Sequence, residues 1–514
     1  FSATADEPVH IASGYDWITR GVYVFDPEHP PLARGLFGLG LRAGGVVSPP
    51  PEDWQTLQPT WLAAARGMDL LWHDGRYIHN LANARRGNLV FLLLALIVVA
   101  AWAWRAFGPG VALLAVALFG SLPPVLAHAG LATTDMAAAA TLPLALFALE
   151  RWLERRTLGR GLFLGTAIGV GLVAKLSFVL FFVVGAAMLA VHRTNRTYRT
   201  DRTYSSYSSY LSYSVVAAAL AIFIVWATYG FDFGTMEETS AQMPELVQKS
   251  AGPPGVWIAR NLPIPAPSFA VGVMWAKVHQ DRGHSAFLLG RRGDRGWWYY
   301  FPVALALKTP LPFLLLFFFG AARLIRTPDS RFVWIPVALL ISVLPVTLNI
   351  GVRHVLALYP MMAIVAAFGA RELWLSSRRM LGRGALVLLL AWHFIGTSLA
   401  HPDYLPWFNE AAAGHPEKLL GDSNLDWGQD LLRLSDVARE EQIPQLSILL
   451  FGPAGFDRVP LPPHQRLAPR VPTQGWIAVS ETELQLADPA DYAWLAAHRP
   501  VRRVGKSIRL YYIQ

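Results

Sequence analysis

The chain has 514 residues, 54% of them hydrophobic and only 15% charged, with a mean hydropathy of +0.35. A soluble globular chain carries ~25% charged residues, and here the apolar residues run in long blocks, so an ordinary soluble domain is excluded in favour of a polytopic membrane protein. Cysteine is absent, which removes disulfides and thiolate metal sites, and the net charge of +9 comes from arginines in short gaps between apolar blocks, a pattern that argues against nucleic acid as a partner.

The chain opens on FSATADEPVH, without an initiator methionine and with the acidic pair Asp6-Glu7 ahead of His10. Carboxylates just outside a span are either plain solvated charges or a general base that takes a proton from a hydroxyl or amine at the membrane boundary. The run EHPPLARGLFGLG at 28–40 stops one helix at its double proline and predicts another from Leu32. Glu28, His29 and Arg34 would cluster at that turn, where a cation beside a helix start suits a phosphate group.

Ten apolar segments follow, at 88–106, 109–127, 135–152, 161–175, 176–191, 213–231, 299–323, 332–349, 355–373 and 385–400. Most can cross a core ~30 Å thick at ~1.5 Å per residue. The short pair 161–175 and 176–191 reads as two helices meeting at Lys175. The gaps RWLERRTLGRG, HRTNRTYRTDRTY, RLIRTPDSR and RELWLSSRRMLGRG carry fifteen arginines, whereas HAGLATTD and NIGVRH carry one. Short-loop arginine bias sets orientation, so the first group faces the cytoplasm and residues 1–87, 232–298 and 401–514 face the other side. Both visible ends would then be external, which leads us to expect a further span upstream of Phe1. The low-complexity RTNRTYRTDRTYSSYSSYLSYS reads as a disordered cytoplasmic loop.

The organisation expected is therefore a first external loop with interfacial helices and the acidic motif (1–87), a transmembrane bundle with an external loop at 232–298 (88–400), and a small external α/β domain (401–514). In the last, LLRLSDVAREEQ reads as an amphipathic helix, and QLSILLFG, GWIAVSETEL and SIRLYYI as strands.

Charges at the external ends of the spans are the candidate chemistry. Asp135, in ATTDMAAAATLPLALF, either caps its helix together with Thr134 or faces a site. Lys175, Lys308 and Arg353-His354 interrupt apolar blocks, where a charge costs ~2.5–3.5 kcal/mol at the span centre unless it snorkels. The loop HQDRGHSAFLLGRRGDRGWWYYFP adds His279, His284 and an interfacial aromatic belt, and Glu28 with His284 would make a two-ligand metal site. The run GDSNLDWGQDL offers Asp426, read mainly as a cap for the following helix, and Trp427, a possible sugar-stacking face.

In this order, Asp6-Glu7 with His10, HPPLAR (29–34), TTD (133–135), Lys175 with Ser177, HSAFLLG…GWWYYFPVA…KTPLP (284–312), GVRHVLALYP (351–360) and DSNLDWGQDL (422–431) resemble the GT-C membrane glycosyltransferases of family 39 type, the protein O-mannosyltransferases and aminoarabinose transferases. The resemblance covers nearly the whole chain. It implies transfer of a sugar from a polyprenyl-phosphate donor on the external face of a bacterial inner membrane. Asp6 would be the base, and His29 would face the donor phosphate. A divalent metal serves some relatives and not others. The domain typical of eukaryotic mannosyltransferases is not evident, and the tail differs, which leaves the acceptor open. A lipid or sugar flippase is the alternative, although no internal repeat supports it.

Overall fold

All ten apolar segments contain helix, as long apolar stretches must where no water can satisfy the backbone, although the one expected at 332–349 is helical only to Ser342. The computed structural model describes residues 1–21, 23–49, 59–197, 207–453 and 458–514, so part of the low-complexity loop lies outside the described residues. Among the described residues, four helices are long and apolar enough to cross a membrane: Tyr77–Phe107, Asp135–Glu154, Val352–Trp374 and Arg379–Ala400. Two bent helix pairs are apolar enough when taken together, Pro109–Gly120 with Pro123–Ala129 at 66°, and Tyr300–Lys308 with Leu311–Leu324 at 115°, the geometry of a broken span or a re-entrant loop. The straight segments expected at 109–127 and 299–323 are thus corrected. Pro123-Pro124 and Pro310 lack the N–H that would continue the helical ladder, and each starts a new direction. The shorter apolar helices are Leu158–Ala174, Ser177–His192, Tyr213–Thr228 and Arg331–Ser342. Lys175 sits in extended backbone at the break between the first two.

Val352–Trp374 is the buried centre of the bundle, flanked by the helices Leu311–Leu324 and Pro109–Gly120. Arg379–Ala400 lies at the periphery, where Leu388, Ile395 and Leu399 are exposed as a lipid-facing residue would be.

Among the described part of the first 87 residues, four α-helices, Glu7–Arg20, Pro31–Ala43, Thr60–Leu71 and Tyr77–Arg86, pack together ahead of the first apolar segment. Glu7–Arg20 and Pro31–Ala43 cross at Gly14 and Gly38. A Cβ on Gly14 would lie 1.7 Å from the Arg34 carbonyl oxygen, so only glycine allows this approach. The crossing carries Arg34 to His10.

The tail forms a five-stranded mixed sheet in the order His464–Arg466, Leu446–Leu449, Gly475–Ser480, Ile508–Ile513, Arg502–Val504. The first two pairings are parallel and the last two antiparallel. The helix Leu431–Glu440 covers it through Leu434, Val437 and Ala438. The strand expected to run through SETEL stops at Ser480, and Glu481–Leu486 is helical.

Candidate active site

Chain direction gathers the charges. Asp135 opens the helix Asp135–Glu154, Lys175 follows the last turn of Leu158–Ala174, and Arg353 lies in the 3-10 turns Val352–Leu358 that lead into Tyr359–Trp374. Each of these helices has its arginine-rich turn at the opposite end, so the three charges share one end of the bundle.

There Arg353 Nη1 donates to Asp6 Oδ2 at 2.9 Å and lies 3.9 Å from Asp135 Oδ2, while Lys175 Nζ donates to Asp135 Oδ1. The charges alternate along the series Asp6, Arg353, Asp135, Lys175. The last three are buried, and the Asp6 side chain is 39% exposed, so it is the member open to an incoming group. Of the two readings of Asp135, cap or site residue, the capping one is not met. Thr134 holds the N-cap position without a side-chain bond, and the Asp135 carboxylate is spent on Lys175.

A cavity of about 440 Å³ opens on this series, lined by Asp6, His10, Asp26, Glu28, His29, Lys175, His279, His284, Arg353, His354, Asp422 and Trp427, among others. Buried polar atoms are normally hydrogen-bonded, yet His29 Nδ1, Asp135 Oδ2, Arg353 Nε and His354 Nε2 are buried without a hydrogen-bond partner. Of these, Arg353 Nε is a donor, the two imidazole nitrogens can donate, and Asp135 Oδ2 only accepts; a concave site with such nitrogens beside the cations Arg353 and Lys175 suits an anionic, oxygen-rich ligand. Burial pushes the His29 imidazole down to about 3, so it meets the cavity neutral, as hydrogen-bond donor or ligand rather than as a cation.

Several residues singled out in the sequence stand elsewhere. Glu7 is fully buried and does not line the cavity. Its carboxylate accepts from Arg85 Nε and Nη2, Ala132 N–H and Thr4 N–H, each at 2.8 Å, and so ties the first loop to the start of the bundle. Arg34 is likewise buried away from the cavity wall. It donates to His10 Nδ1 at 3.0 Å, to the Phe25 and Asp26 carbonyls, and to the Asp26 carboxylate, and thereby shapes the loop that presents Glu28 and His29. Lys308, one of the charges interrupting the apolar blocks, does not line the cavity and donates instead to the carbonyls of Leu405, Trp407 and Asn424. Asp426 does not cap the following helix, whose N-cap is Asp430. It accepts instead from Gly428 N–H at 3.2 Å and Thr482 N–H at 3.1 Å. Trp427 edges the cavity but is only 1% exposed, and one face of its ring is taken by Arg353.

Of the acidic cavity residues, Asp26 was not singled out in the sequence and Asp422 was read only as part of the GDSNLDWGQDL turn. Asp26 stands in FDPEHPP, two residues before Glu28, and Asp422 opens the same run as Asp426. Their proximity to motif residues was the available signal. Glu28 pairs with His279, Oε2 to Nδ1 at 3.0 Å, rather than with His284. One oxygen or nitrogen of each of Asp26, Glu28 and His29 lies within 4.8 Å of the others. Glu28 and the neutral His29, with its unpartnered Nδ1, fit a divalent cation, although Asp26 is already engaged by Arg34.

Residues 78–229, which include Asp135 and Lys175, match the family model described as dolichyl-phosphate-mannose-protein mannosyltransferase. No curated protein matches the chain in sequence. Among solved structures, ArnT from Cupriavidus metallidurans bound to undecaprenyl phosphate is similar at 13% identity, over 99% of this chain and 94% of that one, with a TM-score of 0.49. The archaeal oligosaccharyltransferase AglB from Archaeoglobus fulgidus, in complex with an inhibitory peptide and a dolichol-phosphate, is 13% identical over 85% of this chain and 54% of its own, with a TM-score of 0.42. The chain is a polytopic helical membrane protein, and its resemblance to the GT-C mannosyltransferase-type enzymes, first seen in ordered motifs, is met again in the family match.

Proposed function

We propose that this chain, similar to membrane mannosyltransferases over residues 78–229, transfers a sugar from a polyprenyl-phosphate donor to a hydroxyl- or amine-bearing acceptor at the external face of the membrane. The observation that carries this reading is the open Asp6 carboxylate held beside Arg353 and Lys175 at one end of the bundle, on a cavity with unspent polar atoms. The arginine-rich turns at the other ends of the same helices favour the external face for that site.

A lipid-linked sugar cannot leave the bilayer, so its anomeric carbon must react at the membrane surface, where the site aligns reactants and excludes water. The acceptor heteroatom attacks that carbon and forms the new bond as the bond to the phosphate oxygen breaks. Asp6 takes the acceptor proton, and the departing polyprenyl phosphate carries the electron pair away. Attack opposite the phosphate inverts the anomeric carbon. Arg353, Lys175 and the neutral His29 face the growing phosphate charge, a stabilisation of the kind preorganised donors supply best. A phosphate leaving group needs no protonation, so a single carboxylate suffices where glycosidases use two. Glu7 and Arg34 act as scaffold in this reading. A divalent cation held by Glu28 and His29 would add positive charge near the phosphate.

Purified protein in liposomes with a radiolabelled polyprenyl-phosphate sugar tests the proposal. Label moving from the lipid into a new product is the expected result. Passage of unaltered lipid across the bilayer, with no product, would replace the transferase with a flippase.

A further inference from the structure

The bundle by itself gives Arg353 a choice between two carboxylates, Asp6 at 2.9 Å and Asp135 at 3.9 Å, and Asp135 already has Lys175. The residue that resolves this choice comes from the tail. The Arg353 guanidinium carbon lies 4.2 Å from the centroid of the buried Trp427 ring, a distance at which the ring quadrupole attracts a cation. The same residue reaches the other partner through its backbone, since the Trp427 carbonyl accepts the Ala5 N–H at 2.9 Å, one residue before Asp6. Ser2 N–H donates to the Gln429 carbonyl at 2.9 Å and continues the attachment.

Trp427 is itself held firmly. Its N–H donates to Gln429 Oε1 at 2.7 Å, and Ala127, Leu131 and Leu405 pack with it in one apolar cluster. Tail and site also meet at Gly351, where the backbone has φ +152° and a Cβ would lie 2.0 Å from Ser423 Oγ. Only glycine lets the tail approach the turn that carries Arg353 so closely. From there Asn424 Oδ1 accepts the Val352 N–H at 3.0 Å.

We infer that Trp427 is a positioning residue that holds Arg353 against Asp6 rather than Asp135, so that the C-terminal domain completes a charge arrangement the bundle leaves unset. The inference rests on the transferase reading. Without the indole, the guanidinium loses its platform and drifts toward the buried Asp135, away from its place beside Asp6 on the cavity wall.

The test is a double-mutant cycle in the full chain, with W427L, W427F, R353A and the two doubles, read by retention of a C55 polyprenyl phosphate and by kcat and KM for transfer. W427L should weaken polyprenyl-phosphate binding about tenfold and W427F no more than about threefold, since phenyl keeps part of the cation–π attraction. In the R353A background neither change at Trp427 should weaken binding further. A purely structural tryptophan would give additive losses and no rescue by phenylalanine, and that result overturns the inference. If W427L does not fold, W427F against W427F/R353A decides the same question. A wild type that fails to retain the lipid removes the transferase reading and this inference together. A wild type and a W427L that bind it equally well remove the inference alone.

Discussion

Arg353 Nη1 reaches Asp6 Oδ2 at 2.9 Å although 347 residues separate them in the chain. The contact closes the molecule on itself, since the first loop brings the carboxylate and the most buried span brings the guanidinium. It also keeps the carboxylate at the mouth of the cavity, where an acceptor can meet it.

Asp6→Asn keeps the shape of that side chain and removes its capacity to take a proton. Transfer should fall by about 10²-fold or more, a typical loss for a general base, while membrane insertion and elution as a single species stay as in the wild type. An Asp6→Asn variant with full transfer at matched expression would exclude Asp6 as the base.

Glu7→Gln should behave in the opposite way. Glu7 is buried with Arg85, and breaking such a pair from one side costs about 3–5 kcal/mol because the remaining charge is left uncompensated. The expected outcome is a lowered melting temperature and yield, partly restored in Glu7→Gln/Arg85→Gln, with near-normal turnover per folded molecule. Thermal scans in detergent and active-site-normalised rates separate the two effects.

Lys308 and Lys175 look alike in sequence and differ in partners, three tail carbonyls for the first and Asp135 for the second. Lys308→Met should speed proteolysis within 401–427, because it frees the carbonyls that anchor that stretch, with polyprenyl-phosphate affinity changed less than threefold where the fold survives. Lys175→Met should cut that affinity about tenfold or more at similar protease resistance. Limited trypsinolysis alongside lipid-retention measurements would show the contrast, and identical profiles for the two variants would contradict it.

The Asp426 carboxyl gives a pH signature. Burial raises it to about 7 from an ordinary 3.8, against the opposing pull of the Thr482 and Gly428 amides. The folded state therefore holds this proton more tightly than the unfolded one. The stability that proton contributes is fully present below about 4 and is lost as pH rises through about 7. Tail stability should decline from about pH 4 to about pH 7 and level off above it, to be followed by hydrogen exchange over 475–513. Asp426→Asn carries no such proton, so its decline should be flatter and its tail the more stable at pH 8.

The spans were legible because what makes them is local. Length, hydropathy and the arginine bias of the gaps are properties of contiguous residues, and so are the prolines at 123–124 and 310 that bend two of them. The bends themselves were not anticipated, since a Pro within an apolar run is compatible with either a kinked span or a reversal. The tail sheet was likewise visible in its alternating strands. The grouping of charges was less so. Glu7 and Asp6 are neighbours in the chain, yet a single residue step, about 100° around a helix, sends the first into the scaffold and the second to the cavity.

By itself, then, the amino-acid order determined that this is a helical membrane protein with its unusual charges at one end of its spans and a small mixed domain at its C-terminus. Tertiary packing alone decided which cation answers which anion. Those partners lie tens to hundreds of residues apart, as with Lys308 and carbonyls 97 to 116 positions away, and electrostatic energy depends on distance in space and on burial, neither of which is written in spacing along the chain.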